Sequence, residues 1–279
     1  MNTPNKIWLI TGTSSGFGLA IAEVALQAGD TVVATARRPE ALQDLAARFP
    51  DRLDAVALDV TDTSVISTVV DDIVARHGRV DILVNNAGRA LIGAAEETTD
   101  QELRDLMDVH FFGPAALTRA VLPHMRAQKS GAVVQITSVG GRMSFAGCSA
   151  YSATKFALEG FSEALVDEVA PFGIKVLIVE PGAFRTGLHG GAMQMSAELP
   201  EYAGTVGPVR ASMRAFDNAQ PGDPAKAAAA IITALDADNT PLRLPLGDDA
   251  IDPITDRLNT NRREMATWES LIRGTNVDA

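Results

Sequence analysis

One stretch near the start of the chain decides the fold: Ile7-Trp8-Leu9-Ile10-Thr11-Gly12-Thr13-Ser14-Ser15-Gly16-Phe17-Gly18. Its first four residues are apolar and β-prone, which predicts a buried strand. The apolar residues after Gly16 recur at helical spacing as far as Gly29, which predicts a helix. Glycines between a strand and a helix allow a tight turn and let a phosphate approach the N–H groups at the helix start. The stretch predicts either a phosphate-binding turn, which this context favours, or a tight turn without a ligand.

Strands and helices alternate along the rest of the chain. Further strands are predicted at residues 31–35, 55–58, 80–84, 132–137, 174–179 and 242–246, with amphipathic helices between most of them. This order predicts a single doubly wound α/β domain of Rossmann type, with a parallel sheet of about seven strands and helices on both faces. Ligands of such sheets bind beyond the carboxyl ends of the strands. Five candidate site residues fall at such ends: Gly12, Arg37, Asp59, Asn86 and Ser138.

The end of the second strand bears on the choice of dinucleotide. In folds of this type, an acidic residue about 20 residues after the glycines binds the ribose 2′-hydroxyl of NAD(H). Ala36 occupies that place here, and Arg37 and Arg38 follow it. Guanidinium groups pair well with the 2′-phosphate of NADP(H), so the sequence favours NADP(H), with Arg37 as the stronger candidate. The alternative is a solvated arginine pair before a helix that starts at Pro39.

A phenol and an ammonium lie four residues apart in Tyr151-Ser152-Ala153-Thr154-Lys155. On a helix, this spacing places both groups on one face. A nearby positive charge lowers the pKa of a tyrosine, which can then exchange a proton with an alcohol or carbonyl oxygen. Ser138, at the carboxyl end of the preceding strand, would bring a hydroxyl close to the phenol. Alone, the Tyr/Lys pair fits an ordinary surface helix equally well; with the other motifs, it predicts catalysis.

Two long apolar helices are predicted on one flank of the sheet. The first has an apolar face made by Leu103, Leu106, Met107, His110 and Phe111. His110 is therefore expected to point in the same direction as the apolar side chains, and Pro114 should kink or loosen the helix near Gly113. The second helix carries Tyr151. The apolar faces of these helices are either buried within one chain or form a subunit interface.

The regular pattern weakens after Thr186. Residues 187–224 are rich in Gly, Met, Ala and Pro without a sustained period, which predicts a long irregular substrate loop or lid. Four of its apolar side chains either line a flexible pocket or pack in the ordinary way: Met193, Met195, Met213 and Phe216. A helix is expected to begin at Asp223 and Pro224. Residues 248–279 are expected to be a partly helical, polar C-terminal extension anchored by Trp268 and Leu271.

Bulk composition narrows the class of protein. The 279 residues, 46% of them hydrophobic, suit one large domain or two small ones. The net charge of −11 argues against nucleic acid as a partner. A single cysteine, Cys148, excludes an internal disulfide framework and a Cys-rich metal site, and no metal is expected. No secretory signal and no apolar run of membrane-spanning length is found, so a cytoplasmic protein without a membrane partner is expected.

Together these motifs resemble the classical short-chain dehydrogenases/reductases. The resemblance rests on residues 11–18, Asn85-Asn86-Ala87-Gly88, Ser138, Tyr151 with Lys155, and Pro181-Gly182 with Thr186. It covers roughly residues 6–246 with the motifs in the family's order, and the combination is specific although each motif alone is weak. The C-terminal third resembles a bacterial subgroup labelled hydroxysteroid- or retinol-dehydrogenase-like, a label that does not identify a substrate.

The resemblance implies a role for each matching residue. Tyr151 would be the general acid/base, Lys155 would lower its pKa and bind the nicotinamide ribose, and Ser138 would hold the substrate oxygen. The cofactor would be held by Gly12, Ser14, Ser15, Gly16, Phe17 and Gly18 at the pyrophosphate, Asp59 and Val60 at the adenine, Asn86, Ala87 and Gly88 along its side, and Pro181, Gly182 and Thr186 at the nicotinamide. A homodimer or homotetramer is also implied.

His110 departs from the family pattern, which usually has an asparagine there that supports a water chain to the lysine. The imidazole would either replace that asparagine in part, as a donor that titrates near neutral pH, or be a core histidine beside a rearranged proton path. Cys148, three residues before Tyr151, would either border the substrate or be an inert small side chain.

The sequence therefore predicts an NADP(H)-dependent oxidoreductase that interconverts a carbonyl and a secondary alcohol on a small, apolar substrate. The alternatives are an NAD-dependent alcohol dehydrogenase of the same fold and a non-catalytic dinucleotide-binding regulator. A regulator need not keep Ser138, Tyr151 and Lys155 together, which argues against the last alternative.

Overall fold

The computed structural model describes residues 5–186, 193–215 and 219–277. Its strands are β1 (Ile7–Thr11), β2 (Thr31–Ala36), β3 (Leu53–Ala57), β4 (Ile82–Asn85), β5 (Ala90–Ile92), β6 (Gly131–Ile136), β7 (Ile174–Pro181), β8 (Met193–Met195) and β9 (Arg243–Leu246). Seven of them form one parallel sheet in the order β3-β2-β1-β4-β6-β7-β9, and β5 pairs separately with β8. The predicted seven-stranded parallel sheet is confirmed.

Helices cover both faces of this sheet. They are α1 (Gly16–Gln27), α2 (Gln43–Arg48), α3 (Ile66–His77), α4 (Asp100–Met107), α5 (Gly113–Gln128), α6 (Ser149–Val169), α7 (Gly207–Ala215), α8 (Pro224–Asp236) and α9 (Asp248–Arg273). One apolar layer joins the sheet to α1, α2 and α8, and a second joins it to α3, α5 and α6. Within β1, Trp8 and Ile10 enter the first layer and Leu9 enters the second. A strand buried on both sides needs apolar residues at every position, which explains its continuous apolar run.

The strand order places a crevice beside β1. From β1 the chain proceeds outward through β2 and β3 and then returns to β4 on the other side of β1. Where the order reverses, the connections after two neighbouring strands diverge and leave a crevice at their carboxyl ends. Gly12 follows β1 and Asn86 follows β4, so both lie at this crevice.

The long helix before β6 is interrupted where Pro114 was predicted to disturb it. Residues Asp108–Phe112 form a π-helical turn between α4 and α5, and the N–H of Gly113 donates to the carbonyl of Asp108, five residues earlier. Pro114 has no N–H to donate and its ring crowds the carbonyl four residues before it, which favours this wider turn. His110 lies in the turn and is buried.

The prediction of a long irregular loop over residues 187–224 is wrong for much of the part that the structure describes. Strand β8 pairs in parallel with β5, a 3₁₀ turn covers Pro200–Tyr202, and α7 follows. These elements are short, and the buried residue of α7 is a charged one, Arg210. Apolar periodicity in the sequence therefore did not predict them. Phe216 lies outside the described residues. The predicted start of α8 is confirmed, since Asp223 accepts a hydrogen bond from the N–H of Ala225 at 2.8 Å.

The C-terminal extension is one helix of 26 residues, α9. The prediction that Trp268 and Leu271 anchor it is wrong, because these side chains are 59% and 66% exposed. Ala250 and Ile254 in its first two turns are buried instead, so contacts with the body are made at the start of the helix. Separately, none of the helices within the described ranges combines the length and the apolar character that crossing a membrane requires.

Candidate active site

The glycine-rich turn is held by hydrogen bonds between the ends of β1 and β4. The hydroxyl of Thr11 accepts from the N–H groups of Asn86 and Ala87 at 3.0 and 3.1 Å. The Asn86 amide donates to the carbonyls of Thr11 and Gly12 at 2.8 and 3.0 Å. Gly12 has φ +66°, and a Cβ there would stand 2.8 Å from the Cα of Ala87. Only glycine fits this turn, which leaves its backbone open toward the crevice.

A cleft of about 700 Å³ runs along the carboxyl ends of the strands. The predicted site residues that line it are Gly12, Ser14, Ser15, Gly16, Phe17, Arg37, Asp59, Val60, Asn86, Ala87, Gly88, Ser138, Tyr151, Lys155, Pro181, Gly182 and Thr186. Gly18 is buried in α1 instead. The structure also brings into the cleft several residues that the sequence did not single out, among them Asp105, Asp108, Thr137 and Phe184.

One end of the cleft carries Arg37 and Asp59. Both arginines after β2 are exposed, but Arg37 lines the cleft and Arg38 does not. Partial burial of Asp59 opposes its ionisation, yet hydrogen bonds from the backbone N–H and the hydroxyl of Thr61, with Arg37 and Arg89 nearby, lower its pKa. An open backbone turn and an exposed guanidinium are donors suited to phosphate groups, so this end fits the phosphates of a nicotinamide dinucleotide.

Three side chains converge at the other end of the cleft. Ser138 follows β6, and its Oγ accepts from the N–H of Gly140 at 3.0 Å. Tyr151 and Lys155 lie one turn apart on α6, and Nζ of Lys155 is 5.8 Å from the centroid of the Tyr151 ring. This Nζ also donates to the carbonyl of Ile136 at 3.0 Å. Because the backbone of Gly140 already donates to Ser138, the serine proton remains available for the phenol or for a substrate oxygen.

Burial dominates the acid–base properties of this trio. It raises the pKa of Tyr151 to about 12, although a hydrogen bond from Ser138 opposes the shift. It lowers the pKa of Lys155 to about 8, against the charge of Glu159. The expectation that the pKa of Tyr151 lies below its ordinary value is therefore wrong for this arrangement, because burial of the phenol outweighs the hydrogen bond from Ser138. At neutral pH the tyrosine is protonated and the lysine is largely charged, which suits proton donation.

His110 is a buried neutral side chain with a defined tautomer. The hydroxyl of Thr154 uses its single proton on the carbonyl of Tyr151, so it accepts from Nδ1 of His110, 2.8 Å away. Nε2 then accepts from the N–H of Arg89 at 3.2 Å. Burial holds the pKa of His110 well below its ordinary value, and the charges of Lys155 and Arg89 add to this effect. The prediction that His110 titrates near neutral pH is wrong, and the core-histidine alternative fits the structure.

A charged cluster behind Ser138 went unnoticed in the sequence. The carboxylate of Glu159, one turn beyond Lys155, lies 2.7 Å from the Thr137 hydroxyl and 3.1 Å from Nε of Arg243. Arg142 donates to the buried carboxylate of Glu180 at 2.8 Å. Burial raises the pKa of Glu159 to about 6, and the charge of Glu180 contributes. The spacing of Lys155 and Glu159 was the one sequence signal of this cluster.

One side of the cleft is bordered by a small unit, here called the cover, that consists of β5, β8 and α7. Gln194 of β8 lines the cleft, while Met193, Met195 and Met213 pack into an apolar cluster around Cys148. Burial raises the pKa of the Cys148 thiol to about 12, which fits the inert alternative for this residue. The cover is tied to the body by a buried ion pair, in which Nη2 of Arg210 lies 2.6 Å from Oε2 of Glu97.

The loop after β7 depends on α9. The N–H of Ala183 donates to Oδ2 of Asp249 at 2.6 Å, and a Cβ on Gly182 would collide with the same carboxylate. Gly182 thus lets Asp249 approach the loop that borders the cleft. Asp249 is 66 residues from Ala183 in sequence, so no local sequence pattern could predict this contact.

Comparisons with known proteins agree with this geometry. A family model described as short chain dehydrogenase matches residues 6–197. An oxidoreductase of Botryotinia fuckeliana is 42% identical over 248 residues, which are 88% of this chain and 90% of that protein. The crystal structure of a short-chain dehydrogenase from Streptomyces avermitilis superposes with a TM-score of 0.93 at 62% identity, covering 98% of this chain and 100% of that one.

A structure of a metagenomic short-chain oxidoreductase in complex with NADP is also similar. It superposes with a TM-score of 0.61 at 32% identity and covers 64% of this chain and 83% of that chain. The fold and the resemblance predicted from sequence are thus confirmed at the level of the family. The hydroxysteroid- or retinol-dehydrogenase-like subgroup stays a prediction.

Proposed function

This chain belongs to the short-chain dehydrogenase family, and we propose that it is an NADP(H)-dependent oxidoreductase that interconverts a carbonyl and a secondary alcohol on a small, apolar substrate. The observation that carries the proposal is the convergence of Ser138, Tyr151 and Lys155 in one cleft with the open glycine turn and Arg37. A regulator that only binds a dinucleotide would have no need of this phenol beside a buried ammonium.

Bound NADPH would supply the hydride. During carbonyl reduction, the protonated Tyr151 phenol donates its proton to the substrate oxygen. Ser138 donates a hydrogen bond to the same oxygen, with its own Oγ held by the N–H of Gly140. The ammonium of Lys155, fixed by the carbonyl of Ile136, favours the phenolate that remains after proton transfer. Oxidation of the alcohol reverses these steps.

The choice of NADP(H) rests on charge at the adenosine end of the cleft. Arg37 faces the cleft with its guanidinium exposed, and Ala36 leaves no carboxylate where a ribose 2′-hydroxyl would seek one. The metagenomic relative in complex with NADP supports the same choice. A second candidate is NAD(H), which the ionised Asp59 favours, because its carboxylate lines the same end and repels an added phosphate.

Fluorescence titration of NADPH and NADH tests this choice. The wild type should bind NADPH tighter than NADH, and Arg37→Ala should remove the difference, because one charge-assisted phosphate contact contributes about 1.5–3 kcal/mol, or roughly ten- to a hundredfold in affinity. Arg38→Ala is the matched control: it removes a neighbouring exposed arginine that does not line the cleft, and it should leave both affinities unchanged.

Three outcomes are distinguishable. Equal affinities for both cofactors in the wild type would contradict the role of Arg37 while leaving the oxidoreductase proposal standing. A preference for NADPH that Arg38→Ala removes would move the phosphate contact to Arg38. Failure to bind either cofactor would contradict the proposed function itself.

The substrate is proposed to enter beside the cover. Gln194 reaches the cleft from β8, and the apolar cluster of Met193, Met195 and Met213 lies behind it. Thioether side chains adapt to varied apolar shapes, which fits a small apolar carbonyl compound better than a charged one.

A further inference from the structure

Most of α9 lies outside the body of the protein. From Thr255 to Val277 every described side chain is exposed except Thr260, which is half-buried. An isolated helix of this length is marginal in water, and α9 contains weak helix formers such as Asn259, Asn261 and Thr267. Packing against another surface normally supplies the missing stability. Within the part of the chain that the structure describes, the body supplies this packing only near Ala250 and Ile254.

The exposed part of α9 carries an apolar stripe. Leu258, Met265, Trp268 and Ile272 follow one another at intervals of seven, three and four residues, which places them on one side of the helix. Their exposed fractions are 51%, 61%, 59% and 52%. This spacing is the one by which two helices pack side by side, and an apolar stripe of this kind is rarely left in water.

We propose that α9 pairs antiparallel with α9 of a second copy of this chain, across a twofold axis near its middle. In this pairing, Met265 packs against Trp268 of the partner subunit. The twofold axis creates the same contact a second time, between Trp268 and Met265 of the partner subunit. The interface joins two copies at their C-terminal helices, away from the faces of α5 and α6. It is independent of the proposed function.

The charges beside the stripe select this orientation. Arg262 and Glu269 flank the stripe on one side, and Arg257 and Glu264 flank it on the other. Antiparallel pairing brings Arg262 opposite the partner's Glu269, twice by symmetry. Parallel pairing would instead bring Arg257 opposite the partner's Arg262 and Glu264 opposite the partner's Glu269. Like charges in those positions repel, so the second copy is expected to run antiparallel.

The same charges argue against a lipid surface as the occupant. An amphipathic helix on an anionic membrane usually has a polar face rich in Lys and Arg. On α9 four arginines are mixed with six acidic residues, and the chain as a whole has a net charge of −11. Anionic headgroups would therefore repel the protein.

Sedimentation velocity over a range of protein concentrations tests the pairing. Met265→Ser with Trp268→Ser should halve the mass of the wild-type particle and raise its dissociation constant by on the order of a hundredfold or more, because the two central contacts are lost twice. Val65→Ser replaces an apolar residue on the body that is 39% exposed, and it should leave the mass unchanged. Unaltered NADPH binding, with a loss of far-UV circular dichroism no larger than the contribution of α9, verifies that the body of each variant is folded.

A charge exchange tests the orientation. Arg262→Glu should weaken association by roughly tenfold, since it creates two like-charge contacts with the partner's Glu269, and the further change Glu269→Arg should restore association. The two residues are two turns apart on one helix, so such a rescue requires contact between copies.

Four results would overturn the proposal. They are a monomeric wild type, an undiminished mass in the Met265/Trp268 double variant, a charge exchange without rescue, and binding of wild type but not that variant to phosphatidylserine vesicles. The last would identify a lipid surface as the occupant.

Discussion

The cofactor end of the cleft and the cover are built in different ways. At the cofactor end, the turn after β1 is held by hydrogen bonds between two short side chains, Thr11 and Asn86, and backbone groups at neighbouring strand ends. The cover is fastened by one long-range ion pair, in which Arg210 and Glu97 are 3% and 6% exposed. Glu97 also accepts from the N–H groups of Ala94 and Leu199.

Because of this difference, the two regions should respond differently to the substitution of single side chains. The strands that carry Thr11 and Asn86 are themselves joined by backbone hydrogen bonds of the sheet, which tolerate changes of most other side chains. The cover depends on a few side chains, because a buried charge without its partner is strongly unfavourable. We therefore expect substitutions in the cover to change stability and substrate handling while cofactor binding persists.

Tyr151→Phe is expected to have the largest effect on catalysis and none on the cofactor end. Removal of the proton donor should lower turnover by about 10²- to 10⁴-fold, because proton transfer to the developing alkoxide is lost. NADPH affinity, measured by fluorescence titration, should stay at the wild-type level. A variant that keeps wild-type turnover would rule out Tyr151 as the acid.

Arg210→Met should destabilise the cover and leave cofactor binding unchanged. It leaves Glu97 buried without its cation, which is expected to lower the free energy of unfolding by about 3–5 kcal/mol. Urea denaturation measures this loss, and NADPH titration at low urea checks that the cofactor end survives. Arg214→Met removes a 62%-exposed partner of Glu198 and should change stability by less than about 1 kcal/mol. Equal losses in both variants would contradict the distinction.

Glu159 provides a pH test on the catalytic side. Its pKa is raised from 4.5 to about 6 by burial, so between these values the folded state binds more protons than the unfolded state. The contribution of Glu159 to the free energy of unfolding is therefore full at acidic pH and is lost as the pH rises from about 4.5 to about 6. The total loss is about 2 kcal/mol. Glu159→Gln should remove this slope from urea denaturation at pH 4 to 7. Glu163→Gln, at a 65%-exposed partner of the same arginine, should keep it.

His110→Asn should have the smallest effect. Turnover should be kept or raised, and the free energy of unfolding should fall by about 1 kcal/mol, because the shorter amide cannot bond to both Thr154 and the N–H of Arg89. His124→Asn, at a surface histidine, is the control for stability. A large loss of turnover in His110→Asn would contradict the assignment of His110 as a core histidine and would place it in the proton path.

Local patterns were sufficient for the fold and for most residues that line the cleft. Apolar periodicity predicts the strands and helices, and their alternation predicts a parallel sheet in which the carboxyl ends of the strands lie together. Gly12, Asn86, Ser138 and Tyr151 could therefore be placed in one cleft before any distance was known.

Three expectations failed because they depend on burial, which periodicity does not report. Trp268 was expected to anchor α9 because aromatic residues are commonly buried, yet its helix leaves the body. The pKa of Tyr151 was expected to fall beside Lys155, yet loss of water raises it. Arg210 belongs to a segment read as irregular, yet it forms a buried pair with Glu97, 113 residues away.

One physical reason explains why the sequence predicted the fold but not these three properties. Helix and strand periods arise from contacts between residues a few positions apart, so the sequence contains them directly. Ion pairing, proton affinity and exposure depend on which distant groups exclude water from a side chain, and that is set when the elements pack. The buried pair of Arg210 with Glu97, the tautomer of His110 and the exposed stripe of α9 all belong to this second class.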